Sequence, residues 1–238
     1  MDNVVVDASV VVEALIRPEF AAVVEAALGR PTMVAPDLIN IDVSGGSLYT
    51  DVPDLDRFFR PESVAVIDTS DAEGSPNTGI TRQLIDWAGR VGARLHPVHP
   101  TRPAVFGIPC VTSVADLPEQ VDLAVLLVAD PLPVIEELAE AKVKFAVVFA
   151  SGFAETGAEG AAAQERLADA VARSGMRLLG PNTNLNAFEH FRDDLDGPAI
   201  ALITQSGHQG RPVFSLQELG IRLSHWAPTG NEADLETA

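Results

Sequence analysis

The sequence predicts an α/β protein built on a doubly wound parallel sheet, and three observations carry that expectation. Val64-Ala65-Val66-Ile67, Leu123 to Val128 and Phe145 to Phe149 are unbroken apolar runs, too short for helices and too continuous for half-exposed strands. Such runs mark strands covered on both faces. Amphipathic stretches of helical period lie between and after them, at Thr78 to Val91, Leu132 to Ala141 and Gly160 to Ser174, so strand and helix alternate as in repeated β-α-β units. Ala93-Arg94-Leu95 and Arg177-Leu178-Leu179 complete the strand set. Right-handed crossovers then place helices on both faces of the sheet.

In chain order, Asn3 to Asp7 reads as a strand, Ser9 to Ile16 and Glu19 to Leu28 as helices, Met33-Val34-Ala35 as a short strand, and a helix starts after Pro36. Residues 1–45 therefore form an N-terminal α/β fragment, and 46–53, rich in small turn-forming residues, a linker. The doubly wound domain spans 54–196. From 197 to 238 a strand (Ala199 to Ile203), a helix (His208 to Leu219) and a strand near Leu223 open a second α/β domain, which the sequence leaves incomplete.

Composition narrows the function. The 238 residues are 47% hydrophobic and 21% charged, enough apolar mass for real cores. Sixteen basic against thirty-four acidic residues give a net charge of −18, a field that repels nucleic acid and anionic lipid and requires any anionic ligand to be held locally. No apolar run approaches the roughly 20 residues that cross a bilayer, and no signal segment opens the chain, so no membrane association and a cytoplasmic location are expected. Cys110 is the only cysteine; it has no disulfide or metal partner and reads as a small apolar residue.

Ligands of open parallel sheets sit beyond the carboxyl ends of the strands. The loops there are Asp68 to Gly79, rich in small residues and leading into a helix N-terminus suited to phosphate, then Pro97-Val98-His99-Pro100, Ala129-Asp130-Pro131, Ala150-Ser151-Gly152-Phe153 and Gly180-Pro181-Asn182-Thr183. With Phe59 to Ile67, His96 to Pro100, Leu179 to Asn182 and Thr204-Gln205-Ser206-Gly207, this ordered set resembles the CoA-binding half of the NDP-forming acyl-CoA synthetases, the family of the succinyl-CoA synthetase α subunit and acetate–CoA ligase.

The resemblance implies a Rossmann-type CoA-binding domain followed by the start of a flavodoxin-like one, with coenzyme A as cofactor. It implicates Ser70, Asn77 and Thr78 for the diphosphate, Val98 and Pro100 for the adenosine end, and Val128, Ala129, Ser151 and Gly152 for the pantetheine arm. Arg102, the base nearest the second loop, is the candidate for the 3′-phosphate. Ser206 and Gly207 start the helix that faces a phosphohistidine in the family. That histidine and the ATP-grasp domain or subunit that partners it lie outside this sequence, so no catalytic residue is assigned and the ligase is incomplete by itself. Asp68 stands where the family has glycine, and is expected to oppose the diphosphate by bulk and charge. A non-catalytic module sensing CoA or acyl-CoA is the alternative reading. A third follows from Val5 to Leu15 and Val34 to Leu38, which resemble the start of a toxin-type PIN nuclease; Asp7 and Asp42 would be its acids, too few to fix a metal.

Overall fold

The computed structural model describes residues 4–5, 56–183, 191–192, 194–196, 199–205 and 211–231. The expected elements between 6 and 43, the linker, and Ser206, Gly207 and His208 lie outside the described residues. Along the chain come β1 (Val4–Val5), α1 (Asp56–Phe59), β2 (Ser63–Ile67), α2 (Pro76–Val91), β3 (Arg94–Val98), β4 (Ala104–Val105) and β5 (Ile108–Pro109). They are followed by β6 (Leu123–Leu126), α3 (Leu132–Glu140), β7 (Phe145–Val148), α4 (Ala158–Ser174), β8 (Arg177–Leu179), β9 (Ala199–Thr204) and β10 (Arg222–Pro228). The chain divides into two compact units, one of residues 55–188 with 229–238, the other of 1–54 with 189–228.

In the first unit a five-stranded sheet runs β3-β2-β6-β7-β8, with all neighbours parallel. Side chains alternate faces along a strand, and the core divides accordingly. Ala65, Ile67, Ala124, Leu126, Ala146 and Val148 pack with Ile135 and Leu138 of α3 and Leu167, Ala170 and Val171 of α4. Val64, Val66, Leu123, Val125, Phe145 and Val147 turn the other way, onto Leu84, Trp87 and Ala88 of α2. Both faces are covered, which is why these strands carry no polar alternation. Each large side chain buried here contributes about 1.5–3 kcal/mol.

Helix ends follow their sequence. Ser75 caps α2 by accepting from the Asn77 N–H, Pro76 opens it, and Gly92 closes it at φ 76°, a conformation that favours glycine. Pro97 is tolerated inside β3 because β3 is an edge strand. A hairpin the sequence did not announce joins β4 to β5 through Phe106 and Gly107, both at positive φ, the pattern of a tight two-residue turn.

The second unit carries a parallel sheet of order β1-β9-β10. Ile200, Leu202, Val213, Leu216, Leu223 and Trp226 form its core. The stretch expected as a helix from His208 to Leu219 is a 3-10 segment over Arg211–Leu219, with Pro212 near its start. Trp226 Nε1 donates to Thr204 Oγ1 at 2.9 Å, tying the end of β9 to β10.

Candidate functional site

Open parallel sheets take their ligands at a switch in crossover direction. From β2 the chain crosses one way to β3 and then returns to the other side for β6, so the carboxyl ends of β2 and β6 flank the switch in direction where such sheets open a crevice. The loop after β2 and the Leu127 to Pro131 loop after β6 border that crevice. Val128 and Ala129 lie in the second of these.

The first loop is braced from inside. Asp68 takes φ 64°, a left-handed conformation that explains why glycine suits this position. Its carboxylate accepts from Asn77 Nδ2 at 3.0 Å, and the same amide reaches the Asp68 carbonyl at 2.9 Å. His99 Nε2 stands 3.8 Å from the carboxylate. His99 Nδ1 accepts from the N–H groups of Thr101 and Arg102, which leaves the Nε2 atom to carry hydrogen toward Asp68. Ser70 Oγ accepts from the Ala72 N–H, and Thr78 Oγ1 donates to the Ala72 carbonyl at 2.6 Å. Ser70 of this loop thus meets Thr78 of the first turn of α2, and the side chains of Ser70, Asn77 and Thr78 shape the loop.

What that loop presents is backbone. Among the described residues, the N–H groups of Asp71, Glu73 and Gly74 have no acceptor, and they lie just before the N-terminus of α2, the arrangement that receives phosphate. The Thr69 hydroxyl beneath is fully buried and meets no nitrogen or oxygen partner. Its neighbour is the Cys110 thiol, whose pKa burial raises despite that contact.

Val98 is buried at the end of β3 and Pro100 exposed just beyond it. Arg102 Nη1 pairs with Asp71 Oδ1 at 2.7 Å, and Asp71 Oδ2 accepts the Phe106 N–H at 3.2 Å. The Arg82 guanidinium lies 4.9 Å from the centre of the Phe106 ring. Two cations, Arg82 and Arg102, and the hairpin tip therefore gather beside the first loop, whose own Asp68, Asp71 and Glu73 carry the opposite charge. The exposed Ser151 and Gly152 follow β7, with Gly152 at φ 106°. The structure brings the candidate residues of the first unit to loops at the carboxyl end of one sheet. Residue-level reading missed Asp71, Arg82, His99 and Glu155, whose roles depend on contacts across loops.

The sequence profile of the CoA binding domain matches residues 62–188, more than half of the chain. The chain belongs to the CoA-binding domain family. Acetate–CoA ligase [ADP-forming] I of Archaeoglobus fulgidus is 38% identical over 192 residues, covering 76% of this chain and 27% of the ligase. The α subunit of acetate–CoA ligase [ADP-forming] I of Pyrococcus furiosus is 35% identical over 203 residues, covering 77% of this chain and 42% of the subunit. The apo structure of a dinucleotide-forming acetyl-coenzyme A synthetase from Ca. Korarchaeum cryptofilum superposes with a TM-score of 0.64 at 33% identity, over 77% of this chain and 41% of that one. This chain spans about a quarter to two fifths of the relatives it matches.

A separate cleft of about 640 Å³ opens at the amino end of the CoA-binding domain's sheet, lined by Leu117, Glu119, Val121, Glu137, Glu140 and Val143 among others. Its three glutamates give it the wrong sign for an anionic cofactor. Among the described residues no three His, Cys, Asp or Glu side chains group to hold a metal, and no helix is long and apolar enough to cross a membrane.

Proposed function

We propose that the domain binds coenzyme A or an acyl-CoA across the carboxyl end of the five-stranded sheet, as the CoA-binding part of an NDP-forming acyl-CoA synthetase acting in the cytoplasm with an ATP-grasp domain or subunit. The observation that carries this reading is the first loop, whose unengaged Asp71, Glu73 and Gly74 N–H groups lie beside the switch between β2 and β6. Those donors hold the diphosphate, with Ser70, Asn77 and Thr78 fixing the loop that aims them. Val98 and Pro100 take the adenosine end, and Arg102, on exchanging Asp71 for the ligand, the 3′-phosphate. The pantetheine arm runs along Val128, Ala129, Ser151 and Gly152. Ser206 and Gly207 belong to the segment that would meet a phosphoryl group in the second domain.

Calorimetric titration of CoA and of NAD into the chain tests the assignment. CoA is expected to bind more tightly, because Arg102 suits a phosphate and no acidic residue follows β3 closely to take a ribose diol. Tighter binding of NAD would overturn it.

A further inference from the structure

Beyond the loops already assigned, one residue far away in sequence gathers two of them. Asn231 uses every polar group it has within the first unit. Its N–H donates to the Pro181 carbonyl at 2.8 Å, its carbonyl accepts from Gln164 Nε2 at 2.9 Å, and its Oδ1 lies 3.4 Å from Asn182 Nδ2. Its Nδ2 donates to Gln164 Oε1 at 3.1 Å and, in a short bond, to Glu155 Oε2. Glu155 in turn accepts the Gly152 N–H at 2.6 Å and the Phe153 N–H at 3.2 Å.

The approach is close enough to dictate the preceding residue. Gly230 sits at φ 69°, and a Cβ there would fall 2.3 Å from the Pro181 carbonyl oxygen and 2.9 Å from Thr183 Cβ, so only glycine lets the segment dock. Burial would raise the Glu155 pKa, yet the Gly152 N–H and the Asn231 amide outweigh it and hold the carboxyl below its ordinary value. The carboxylate is thus kept charged on the loop it braces.

We infer that Asn231 is a positioning residue for the thiol-bearing arm of the ligand, acting through Glu155 to hold Ser151-Gly152-Phe153 in the conformation that lines it; this rests on the CoA reading above. Asn231 touches the loops after β7 and β8, and the phosphate loop after β2 does not depend on it. Its loss should therefore be felt by one part of CoA and not by the other.

The experiment compares two ligands: CoA, and adenosine 3′-phosphate 5′-diphosphate, which keeps the nucleotide and diphosphate but lacks pantetheine. In Asn231→Ala and Glu155→Gln, CoA affinity should fall about fivefold or more, as expected when a preorganised loop loosens, while affinity for the truncated ligand stays within about twofold of the unmutated chain. Asn231→Ala keeps the backbone bonds to Pro181 and Gln164. Should it melt early nonetheless, Glu155→Gln alone decides. Equal losses for both ligands, or unchanged CoA affinity, would overturn the positioning role while leaving the CoA reading intact. Failure of the unmutated chain to bind either ligand would remove the CoA reading, and this inference with it.

Discussion

Asp68 combines a left-handed backbone with a carboxylate that Asn77 holds and His99 faces. Aspartate and asparagine tolerate that conformation better than alanine does. Asp68→Ala should therefore cost about 1–2 kcal/mol, from strain and a lost hydrogen bond, whereas Asp68→Gly should cost less because glycine relieves the strain; urea denaturation reads the difference. Asp68→Asn keeps an acceptor for Asn77 and deletes only the charge. A carboxylate about 6 Å from a phosphate charge repels it by roughly 3 kcal/mol at an effective dielectric of about 20 before screening; solvent and salt around the 43% exposed Asp68 side chain leave about 1 kcal/mol of that, so CoA should bind Asp68→Asn about fivefold more tightly, with the gain shrinking at high salt. Unchanged affinity at both salts would show that the diphosphate lies elsewhere. At the far end of the sheet, Arg94 and then His96 bond the Glu119 carboxylate and hold its pKa down to about 2, against an ordinary 4.5. A carboxyl depressed on folding contributes stability that is complete above the unfolded value and is lost as pH falls from there toward about 2. Glu119→Gln should accordingly flatten the acid-side loss of stability, compared by urea midpoints at about pH 5 and about pH 3.

Two glycines inside helices make opposite predictions at the scale of the element. A Cβ at Gly89 in α2 would meet nothing within 4 Å, so Gly89→Ala should stabilise by about 0.5–1 kcal/mol through helix propensity. In α4, a Cβ at Gly160 would lie 1.9 Å from the Phe153 carbonyl oxygen and 2.3 Å from Thr156 Oγ1. There the same substitution should destabilise by about 2 kcal/mol or more despite the better propensity; denaturant midpoints of the two variants check the sign of each. Propensity and pattern are local, and what they made legible follows from that. β2, β6 and β7 were readable because burial on both faces leaves continuous apolar runs, and α2 because Pro76 and Gly92 punctuate it. Edge strand β3 runs on past Ala93-Arg94-Leu95 to Val98, because Pro97, which is excluded from inner strands, is tolerated at a sheet edge. The β4–β5 hairpin has two-residue strands and a Phe106 in a conformation that no propensity suggests. Glu155 and Asn231 were invisible for a different reason: they are 76 residues apart, and only the fold brings them together.

At the scale of the whole molecule, the chain's two tryptophans divide between its two compact units. Trp87 is buried against the β2 and β6 side chains of the CoA-binding domain, and Trp226 is buried in the other core. A ligand that binds only folded protein stabilises the structure that holds it, by about 2.7 kcal/mol at a hundred times its dissociation constant. For a domain of this size that corresponds to a rise in melting temperature on the order of 10 °C. Trp226→Phe leaves Trp87 as the single reporter and, apart from losing the bond to Thr204, disturbs only its own core. Trp87 fluorescence in this variant should show the full rise on adding CoA, because the loop proposed to hold the diphosphate and Trp87 belong to one unit. The complementary variant, Trp87→Phe, reports the second core: a Trp226 transition that rises equally would mean that both cores melt as one. Absence of any rise at Trp87, at CoA concentrations that saturate a calorimetric signal, would place the bound cofactor outside the five-stranded sheet, and the assignment of Ser70, Asn77 and Thr78 to its diphosphate loop would fall.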